Sequence, residues 1–535
     1  MTDRRQTEKE KPGWAWAPFR HRIFRAMWIA QFVGNLGTYA QTVGAQWLMG
    51  DLGGSALEVA LIQTASSLPV FLLVIPAGAF GDIFDRRRLL IVGQAIALAA
   101  AAALALVTLF DAASPALLLL LTALLAVGSS LSLPIFRAIQ PELVPRDEVP
   151  DAAVLNGVSA NLARTIGPAA GGLLIATIGT EANFALNAVS FAAVIAVLIA
   201  WRRPKDKRSV VPEQLFDAIV AGARYARNSP AYLKLLLRTF AFLLCASALW
   251  SLLPVLARGP LELGPTGYGI ALGAVGVGAV LGTTVVPKIR REYSENLAVA
   301  FGSSLFGAGL VVAGVVGVPA VAIVALAAVG FGWINVTSNL NATAQLLLPN
   351  WTRARGLAFM TVAYQGAYVV GSLLVGALAE SVNVETAFAV AGAGALAGAL
   401  AGLGPLALPD LRDVSPVRYW PDPDLAMEPE PGAGPVLVIV EWRIDRDRAA
   451  EFAEAMEPLG RARRQTGASR WSLFRDADDP ALFLETFTVP NWSEHMRQHL
   501  ERGIESDKEL EAEARAFLTD DRQLRVRHLL SPNDG

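Results

Sequence analysis

The sequence has very little cysteine and little charge, and both shortages exclude classes of protein. It contains one cysteine, Cys245, so no intrachain disulfide framework and no cysteine-based metal site can form. Charged residues make up 17% of the 535 residues, and hydrophobic residues make up 53%. Because an ordinary soluble domain carries about 25% charged residues, this chain is too apolar for that class. The composition predicts an integral membrane protein.

Nucleotide- and cofactor-binding motifs are also missing from the sequence. No segment matches the Gly-x-x-x-x-Gly-Lys-Ser/Thr loop that cradles nucleotide phosphates, which argues against a fused ATPase. The C-terminal quarter carries no haem or nucleotide motif. We therefore predict no cofactor, no nucleic-acid partner and no catalytic residues.

Twelve apolar windows of about 20 residues, the length that crosses a bilayer, precede residue 409. Basic residues concentrate on one side of these windows. That side has 26 lysines and arginines, including the run Arg86 to Arg88, and the opposite loops have one, Arg258. Loops rich in lysine and arginine resist translocation, so both termini are predicted to be cytosolic. The sequence thus predicts a multi-pass protein of the plasma membrane.

The chain is predicted to contain six segments. They are a cytosolic N-terminal segment (1–24), a six-helix half (25–201), a cytosolic linker (202–233), a second six-helix half (234–408), a proline- and acid-rich linker (409–435) and a cytosolic domain (436–530). The sequence from Gly171 resembles that from Gly371, 200 residues later, although chance similarity between Gly/Leu-rich helices is an alternative. Two similar halves around a midplane cavity are typical of a rocking transporter. Apolar spacing in 215–230 predicts an amphipathic helix on the inner membrane surface.

Two motifs in the first half carry a family resemblance. The loop after the second window reads Gly78-Ala-Phe-Gly-Asp82-Ile-Phe-Asp85-Arg86-Arg87, and the fifth window contains Gly157 and Gly167-Pro168-Ala-Ala-Gly171-Gly172. The loop resembles that of the major facilitator superfamily, with Ile83 and Asp85 as departures, and the second motif resembles that of its exporters. Over its whole length the chain is similar to the enterobactin-exporter-like branch. The resemblance implies an all-α membrane protein with twelve transmembrane helices in two six-helix halves.

The same resemblance implies roles for these motifs. Gly78, Asp82, Arg86 and Arg87 are expected to form a conformational latch, since a carboxylate at a helix end can pair with an arginine or a facing helix N-terminus. The alternative is that these charged residues are topology anchors.

The exporter motif combines small residues with a proline. Gly167, Gly171 and Gly172 let a neighbouring helix approach closely, and Pro168 removes an internal hydrogen bond and bends the window. With Gly157, they suit a helix that slides between two conformations, and plain packing is the alternative.

Arg164 is the deepest basic residue, about thirteen residues into the fifth window. A charge at that depth costs at least ~2.5 kcal/mol, so it is expected to face a substrate cavity or a partner carboxylate. Asn161 lies on the adjoining turn, and Asn335 and Asn339 share a face of the tenth window. We predict that these four residues line a substrate cavity. A structural ion pair for the arginine and interhelical hydrogen bonds for the asparagines are the alternatives.

Acidic residues and histidines are missing from the centres of the windows. A proton-coupled transporter needs a titrating group that both sides can reach, and Glu58 and Glu380 are the best candidates. Proton coupling is therefore implied by the family resemblance and not by a central acid.

The C-terminal segment 436–530 has the pattern of a soluble α+β domain. Its predicted order is strand, helix, two strands in a hairpin, helix and strand, which is the ferredoxin-like order. The segment resembles dimeric α/β-barrel domains of the antibiotic-biosynthesis monooxygenase type. Val436 and its alternate residues form one apolar face and Leu437 and Ile439 another, so self-association through the uncovered face is predicted.

Two histidines in this domain, His495 and His499, lie four residues apart and could ligate a metal. The sequence offers no evident third ligand, so we predict packing or a dimer contact and no metal site.

Together these features predict a secondary active exporter of siderophore-like or drug-like small organic molecules, coupled to protons. An importer of the same fold is the alternative, and the exporter motif disfavours it. A membrane-anchored oxidoreductase acting through the C-terminal domain is a third hypothesis, but twelve windows exceed what an anchor needs.

Overall fold

The computed structural model describes residues 16–201, 215–409, 413–420, 423, 425, 427, 429–519 and 524–531. The chain divides into two compact units. The first, which we term the membrane unit, comprises Met1–Pro212, Arg238–Asn339 and Thr361–Pro405. The second, the tail unit, comprises Glu213–Leu237, Leu340–Met360 and Leu406–Gly535.

The first 409 residues form helices almost without interruption in the described part. These are α1 (Arg22–Asp51), α2 (Ala56–Ile83), α3 (Arg86–Leu109), α4 (Pro115–Ile139), α5 (Val149–Thr177), α6 (Thr180–Ala200), α7 (Leu215–Asn228), α8 (Pro230–Arg258), α9 (Pro265–Glu292), α10 (Glu295–Val315), α11 (Pro319–Leu347), α12 (Arg353–Ser381) and α13 (Val384–Leu403). Among the described residues, ten of them are long and apolar enough to cross a membrane. The prediction of a mostly helical, multi-pass membrane protein is confirmed.

Helices α1 and α5 are not among those ten, although they have 30 and 29 residues. Polar residues such as Gln46 in α1 and Arg164 in α5 lower their hydropathy. Both helices pack against each other, and α5 also packs against α9 of the second half. Their polar residues therefore lie on helices at the centre of the unit.

Large apolar side chains cover the outside of the membrane unit. Leu120, Val324 and Leu400 are 63%, 71% and 73% exposed. Water would oppose such exposure, whereas lipid tails accept it.

Local sequence explains where several helices begin. Ser55 and Glu58 form a reciprocal capping box at the start of α2. The Asp85 side chain accepts a 2.8 Å hydrogen bond from the Arg88 amide and so caps α3. That cap gives a physical reason for an aspartate where the superfamily loop usually has a glycine.

The C-terminal segment folds into a small sheet with helices. Its elements are β1 (Val436–Arg443), α14 (Ala449–Thr466), β2 (Arg470–Arg475), β3 (Leu482–Val489), α15 (Trp492–Leu500), α16 (Glu505–Arg515) and β4 (Arg525–Leu530). The strands are antiparallel in the order β2-β3-β1-β4.

The two faces of this sheet differ in burial. Val436, Val438, Val440 and Trp442 alternate along β1 and are buried beneath the helices. The intervening residues of β1 are partly exposed. On that open face, the register places Phe474 and Leu529, which are 55% and 46% exposed.

A charged network lies inside this domain. Arg463 of α14 donates from Nε to Glu485 at 3.1 Å and from Nη2 to Glu511 at 3.0 Å. Burial opposes charge on Arg463, but the two carboxylates raise its pKa above the ordinary value. Trp420 donates to Glu511 at 2.6 Å, so the network also holds a residue that precedes the sheet.

Two segments predicted to be linkers pack within the tail unit. We expected residues 409–435 to be extended and flexible, but its described part hydrogen-bonds to the domain: the Asp413 and Ser415 carbonyls accept from Ser506 and Glu505 amides. The amphipathic segment of the first linker forms α7, and Arg224 on that helix donates to the Gly467 carbonyl at 3.0 Å. Helix α7 thus packs against α14.

Candidate functional site

Arg164 lines a cavity built by both halves of the membrane unit. The other lining residues are Pro168 of α5, Trp250 of α8, Leu272, Val275, Gly276 and Ala279 of α9, and Trp333 of α11. The cavity volume is about 10 Å³, room for no more than about one water molecule. Ligand pockets usually hold ~300–1,000 Å³, so no organic substrate fits in this state of the protein.

Aromatic groups, and not carboxylates, surround the Arg164 guanidinium. Its Nε donates a 3.0 Å hydrogen bond to the Tyr39 hydroxyl, and its Cζ lies 5.6 Å from the centre of the Trp333 ring. Tyr364 and Tyr368 of α12 are close enough to interact electrostatically. Within the described ranges, no carboxylate lies within 4.0 Å of this guanidinium. The alternative of a structural ion pair therefore finds no partner for Arg164 among the described residues.

A second donor lies in the same cavity. The Trp250 ring packs edge-on against Trp333, with centroids 5.5 Å apart. The Trp250 Nε1 is buried and makes no hydrogen bond to any described residue. An unsatisfied buried N–H costs about 1–3 kcal/mol, so the cavity favours a ligand that brings an acceptor.

Three asparagines were predicted to line this cavity. Asn335 and Asn339 lie elsewhere, and the structure does not describe the side chain of Asn161. Asn335 is fully buried against Gly302 of α10, and Asn339 donates to the Asn335 carbonyl at 2.8 Å. Neither lines the Arg164 cavity. Asn335 follows Trp333 by two residues, about 200° around the helix, so the two side chains face different neighbours. The side chain of Asn161 is outside the described part, and its role stays a prediction.

The glycines of the exporter motif differ in their surroundings. A Cβ at Gly167 would lie 2.7 Å from Tyr39 Cβ, and one at Gly171 would lie 2.8 Å from Ala40 Cα. A Cβ at Gly172 would lie 2.6 Å from Gly269 Cα, across the interface between the halves. No atom of the residues that the structure describes lies within 4 Å of a Cβ at Gly157, so close packing among them does not require that glycine.

Two members of the predicted latch, Arg86 and Arg87, have described contacts within the first half. Arg86 lies 3.3 Å from the Glu142 carboxylate beyond α4. Arg87 donates to the Leu198 and Ile199 carbonyls at the end of α6, at 2.6 and 2.8 Å, which caps that helix. Gly78 and the Asp82 side chain lie outside the described part of the structure.

Both predicted proton-coupling acids contact the start of α2. Glu58 belongs to the Ser55 capping box, in which its carboxylate accepts from the Ser55 amide at 2.8 Å. Glu380, at the end of α12, accepts from the Ser55 hydroxyl at 2.7 Å and the Leu57 amide at 3.2 Å. Glu380 therefore links the second half of the unit to the first.

A further link between the halves was missed by the sequence analysis. Arg258 at the end of α8 donates to the Asp51 carboxylate and to the Trp47 carbonyl of α1, both at 2.7 Å. Its Cζ lies 3.7 Å from the centre of the Trp47 ring. Arg258 was noticed only as the one basic residue in the loops predicted to face outward, and that isolation was the available signal.

The tail histidines form a larger cluster than the sequence indicated. His495 and His499 of α15 are joined by His528 of β4. Burial, followed by the neighbouring His499 and His528, lowers the pKa of His495 to about 3. No third ligand was evident in the sequence, because His528 is 29 residues from His499.

Solved transporter structures share the fold of this chain. A bacterial homologue of the iron transporter ferroportin, in an inward-facing state, has a TM-score of 0.59 at 16% identity and covers 72% of this chain and 99% of its own. A bacterial homologue of the lysosomal transporter Spinster, inward-facing and unoccupied, has a TM-score of 0.57 at 14% identity and covers 72% of this chain and 95% of its own. The chain therefore has the same fold as these transporters.

Sequence comparison defines the family. The family described as transmembrane secretion effector, of the major facilitator type, matches residues 14–534, and the chain belongs to it. The multidrug efflux pump Tap of Mycolicibacterium fortuitum is 27% identical over 72% of this chain and 95% of its own length. The staphyloferrin A transporter of Staphylococcus aureus is 23% identical over 49% of this chain and 66% of its own length. The enterobactin exporter EntS of Shigella boydii is 26% identical over 50% of this chain and 64% of its own length.

Proposed function

We propose that this protein is a proton-coupled secondary exporter that moves small organic molecules out of the cytosol by alternating access. The observation that carries the proposal is the position of Arg164: a guanidinium without a carboxylate partner among the described residues, in a cavity lined by both halves. A charge kept at such a depth is costly and marks a substrate pathway. The relatives, which include a drug efflux pump and siderophore transporters, support the same function.

The substrate class follows from the lining of the cavity. Arg164 and Trp250 supply hydrogen-bond donors, whereas Leu272, Val275 and Ala279 supply apolar surface. Such a lining suits an anionic or acceptor-rich molecule with an apolar body, as siderophore-like compounds are, better than a cationic drug. The small volume implies that the halves move apart before a substrate enters.

The proposed gate lies at the helix ends that we predict to face outward. Arg258 with Asp51, and Glu380 with Ser55, join the halves there. Protonation of Glu380 would weaken its role as an acceptor for Ser55 and Leu57 and so loosen this contact between the halves. Glu380, with Glu58 as the second candidate, is the proposed site at which a proton acts on the exchange of states.

The proposed topology has twelve spans, with α1 and α5 added to the ten apolar helices and with both termini in the cytosol. The charge asymmetry of 26 basic residues to one supports this orientation. The latch role of Gly78, Asp82, Arg86 and Arg87 and the sliding role of the α5 motif are part of the same proposal. So is a role for Asn161, Asn335 and Asn339 in a wider, open cavity.

For the tail, we infer a ferredoxin-like domain of the monooxygenase type that serves regulation or self-association. The strand order and the partly exposed apolar face with Phe474 and Leu529 support this inference. Light scattering of the full-length protein in detergent tests it. Phe474→Glu is expected to convert a dimer to a monomer, and a monomeric parent chain would contradict the inference.

Transport in inside-out vesicles tests the main proposal. The vesicle lumen then corresponds to the outer side, so an acidic lumen should drive substrate inward. The panel contains catecholate, hydroxamate and carboxylate siderophores together with cationic dyes. We expect an anionic compound to accumulate only with an acidic lumen and to be lost on addition of a protonophore. Accumulation that ignores the protonophore, or that requires an alkaline lumen, would overturn proton-coupled export.

A further inference from the structure

Three histidines meet in the interior of the tail domain. His495 and His499 lie on one face of α15, and His528 lies on β4. One ring nitrogen from each lies within 4.8 Å of the others. The centroid of the His495 ring lies 4.7 Å from that of the His499 ring and 4.8 Å from that of the His528 ring. The chain has four histidines, and three of them are in this cluster.

The fold brings these side chains together for identifiable reasons. Residues 495 and 499 are four apart and therefore adjacent on a helix. His528 is paired with Val438 of β1, whose side chain is buried on the helix-covered face. Cross-strand partners share a face of the sheet, so His528 projects toward α15.

The cluster leaves polar atoms unsatisfied. His495 is 0% exposed, and neither of its ring nitrogens makes a hydrogen bond to a described residue. The Nε2 of His528 is also buried and makes none. A buried polar atom without a partner costs about 1–3 kcal/mol. Packing alone does not offset this cost, whereas a bound ion would.

We propose that His495, His499 and His528 bind one divalent transition-metal ion, Zn²⁺ or an ion of the same ligand preference. Neutral imidazole suits zinc and related metals, whereas magnesium and calcium require oxygen ligands. Nitrogens around a tetrahedral zinc ion are separated by about 3.4 Å, so small side-chain rotations bring the three into range. Three protein ligands leave the fourth position for water or another ligand.

The surroundings of the cluster suit a metal site. Trp492 packs 5.3 Å from His495 and Trp420 packs 4.6 Å from His499, measured between ring centroids. These indoles exclude bulk water and restrict the orientation of the imidazoles, which raises affinity. Through Trp420, the site would also fasten the segment that precedes the sheet.

The test measures Zn²⁺ binding to the full-length protein in detergent after removal of any affinity tag. Competition with a chromophoric chelator should give one ion per chain, bound more tightly than about 1 µM. His528→Ala should weaken binding about 100-fold or more, because a tridentate site becomes bidentate. His21→Ala is the matched control, since His21 pairs with Glu148 in the membrane unit, and it should bind like the parent. Equal binding by the His528→Ala and parent proteins, or no binding by the parent, would overturn the proposal.

A second variant guards against a folding defect. Co²⁺ bound to the parent protein should show the intense visible bands of a tetrahedral nitrogen site. His528→Cys should keep one Co²⁺ and add a thiolate-to-metal charge-transfer band in the near ultraviolet. Absence of that band in a variant that elutes and melts like the parent would exclude position 528 as a ligand and refute the three-histidine site.

Discussion

The Arg258 guanidinium lies 2.7 Å from the Asp51 carboxylate and connects the end of α8 to the end of α1. The pair therefore joins the two halves of the membrane unit, and the guanidinium also stacks on Trp47. Closing contacts of this kind stabilise one state of a transporter relative to the other.

Breaking this pair should shift the protein toward the outward-open state. The two side chains are 27% and 48% exposed, so solvent screens the pair, and Asp51→Asn should cost about 0.2–1 kcal/mol. That corresponds to roughly a 1.5- to 5-fold change in the ratio of states. The measurement is the labelling rate of a cysteine placed at Gly276, in a Cys245→Ser background, by an impermeant reagent from outside.

The matched control is Asp111→Asn, a second aspartate at the predicted outer ends, which is exposed. It should leave labelling unchanged. The charge-reversed pair Asp51→Arg with Arg258→Asp should restore much of the parent rate, and a rate in Asp51→Asn equal to the parent would remove the gate assignment.

Arg164 should be required for transport and not for folding. Arg164→Ala is expected to lower substrate flux by at least about tenfold, since a charge-assisted hydrogen bond to substrate contributes about 1.5–3 kcal/mol. Arg164→Lys should restore only part of the flux, because an ammonium lacks the planar fork of donors.

The tyrosine that Arg164 contacts provides a second variant with a control. Tyr39→Phe, which removes the hydrogen-bond acceptor of Arg164, should give an intermediate flux. Tyr293→Phe, at a 53% exposed position, should have no effect. Flux is measured per unit of protein in the membrane; a parallel fall in abundance would indicate a structural role instead.

Glu380 should couple transport to the pH gradient. Glu380→Gln keeps an acceptor for Ser55 but cannot take up a proton. We expect gradient-driven accumulation to be lost while substrate exchange at equal pH continues, as measured in the inside-out vesicles. Glu58→Gln is the comparison, because Glu58 caps its own helix and does not join the halves. Loss of both transport modes in Glu380→Gln would point to a structural contact.

The orientation of the membrane unit can be measured directly. Single cysteines at Asp111 and Glu292, both exposed positions, are introduced into the Cys245→Ser background. The predicted topology places Asp111 outside and Glu292 inside. An impermeant maleimide added to intact cells should label Asp111→Cys alone, and the reverse labelling would exclude cytosolic termini.

Arg463 should determine the stability of the tail and its response to acid. Arg463→Met leaves the Glu485 carboxylate, at 0% side-chain exposure, buried without a counter-charge, and leaves Glu511 with Arg515 as its cationic partner, so we expect a loss of about 3–5 kcal/mol. Limited proteolysis of the full-length protein should then release tail fragments much faster than in the parent. Arg461→Met, at a 41% exposed site, should not do so.

The same network predicts the direction of the pH dependence. Burial alone would raise the pKa of Glu511, but Arg463, Arg515 and Trp420 together hold it below the ordinary value. The unfolded tail therefore binds this proton more readily than the folded one. Glu511 stabilises the tail fully above pH ~4.5, and that stabilisation is lost as the pH falls through the lower folded pKa. Faster proteolysis of the tail at pH 4 than at pH 6, with an acid-active protease, checks this; a rate that falls on acidification would contradict it.

Much of this protein was predictable because its chemistry is local. Helix length, loop charge and the two motifs around Asp85 and Pro168 depend on neighbours in the sequence, as do the alternating residues of β1. Hydrocarbon admits long apolar helices whatever their partners, so the membrane helices could be recognised one at a time. Arg164 could be recognised for the same reason, because the number of residues before it in the window gives its depth in the membrane.

Tertiary structure decided which residues meet. The pairing of Arg258 with Asp51, and of Glu380 with Ser55, depends on how the two halves pack, and no spacing in the sequence encodes it. The rotation of α11 places Trp333 and not Asn335 in the cavity. His528 joins His495 because the register of β4 against β1 brings it to the covered face. Contacts between residues far apart in the chain are set by packing and register, which short-range sequence patterns do not specify.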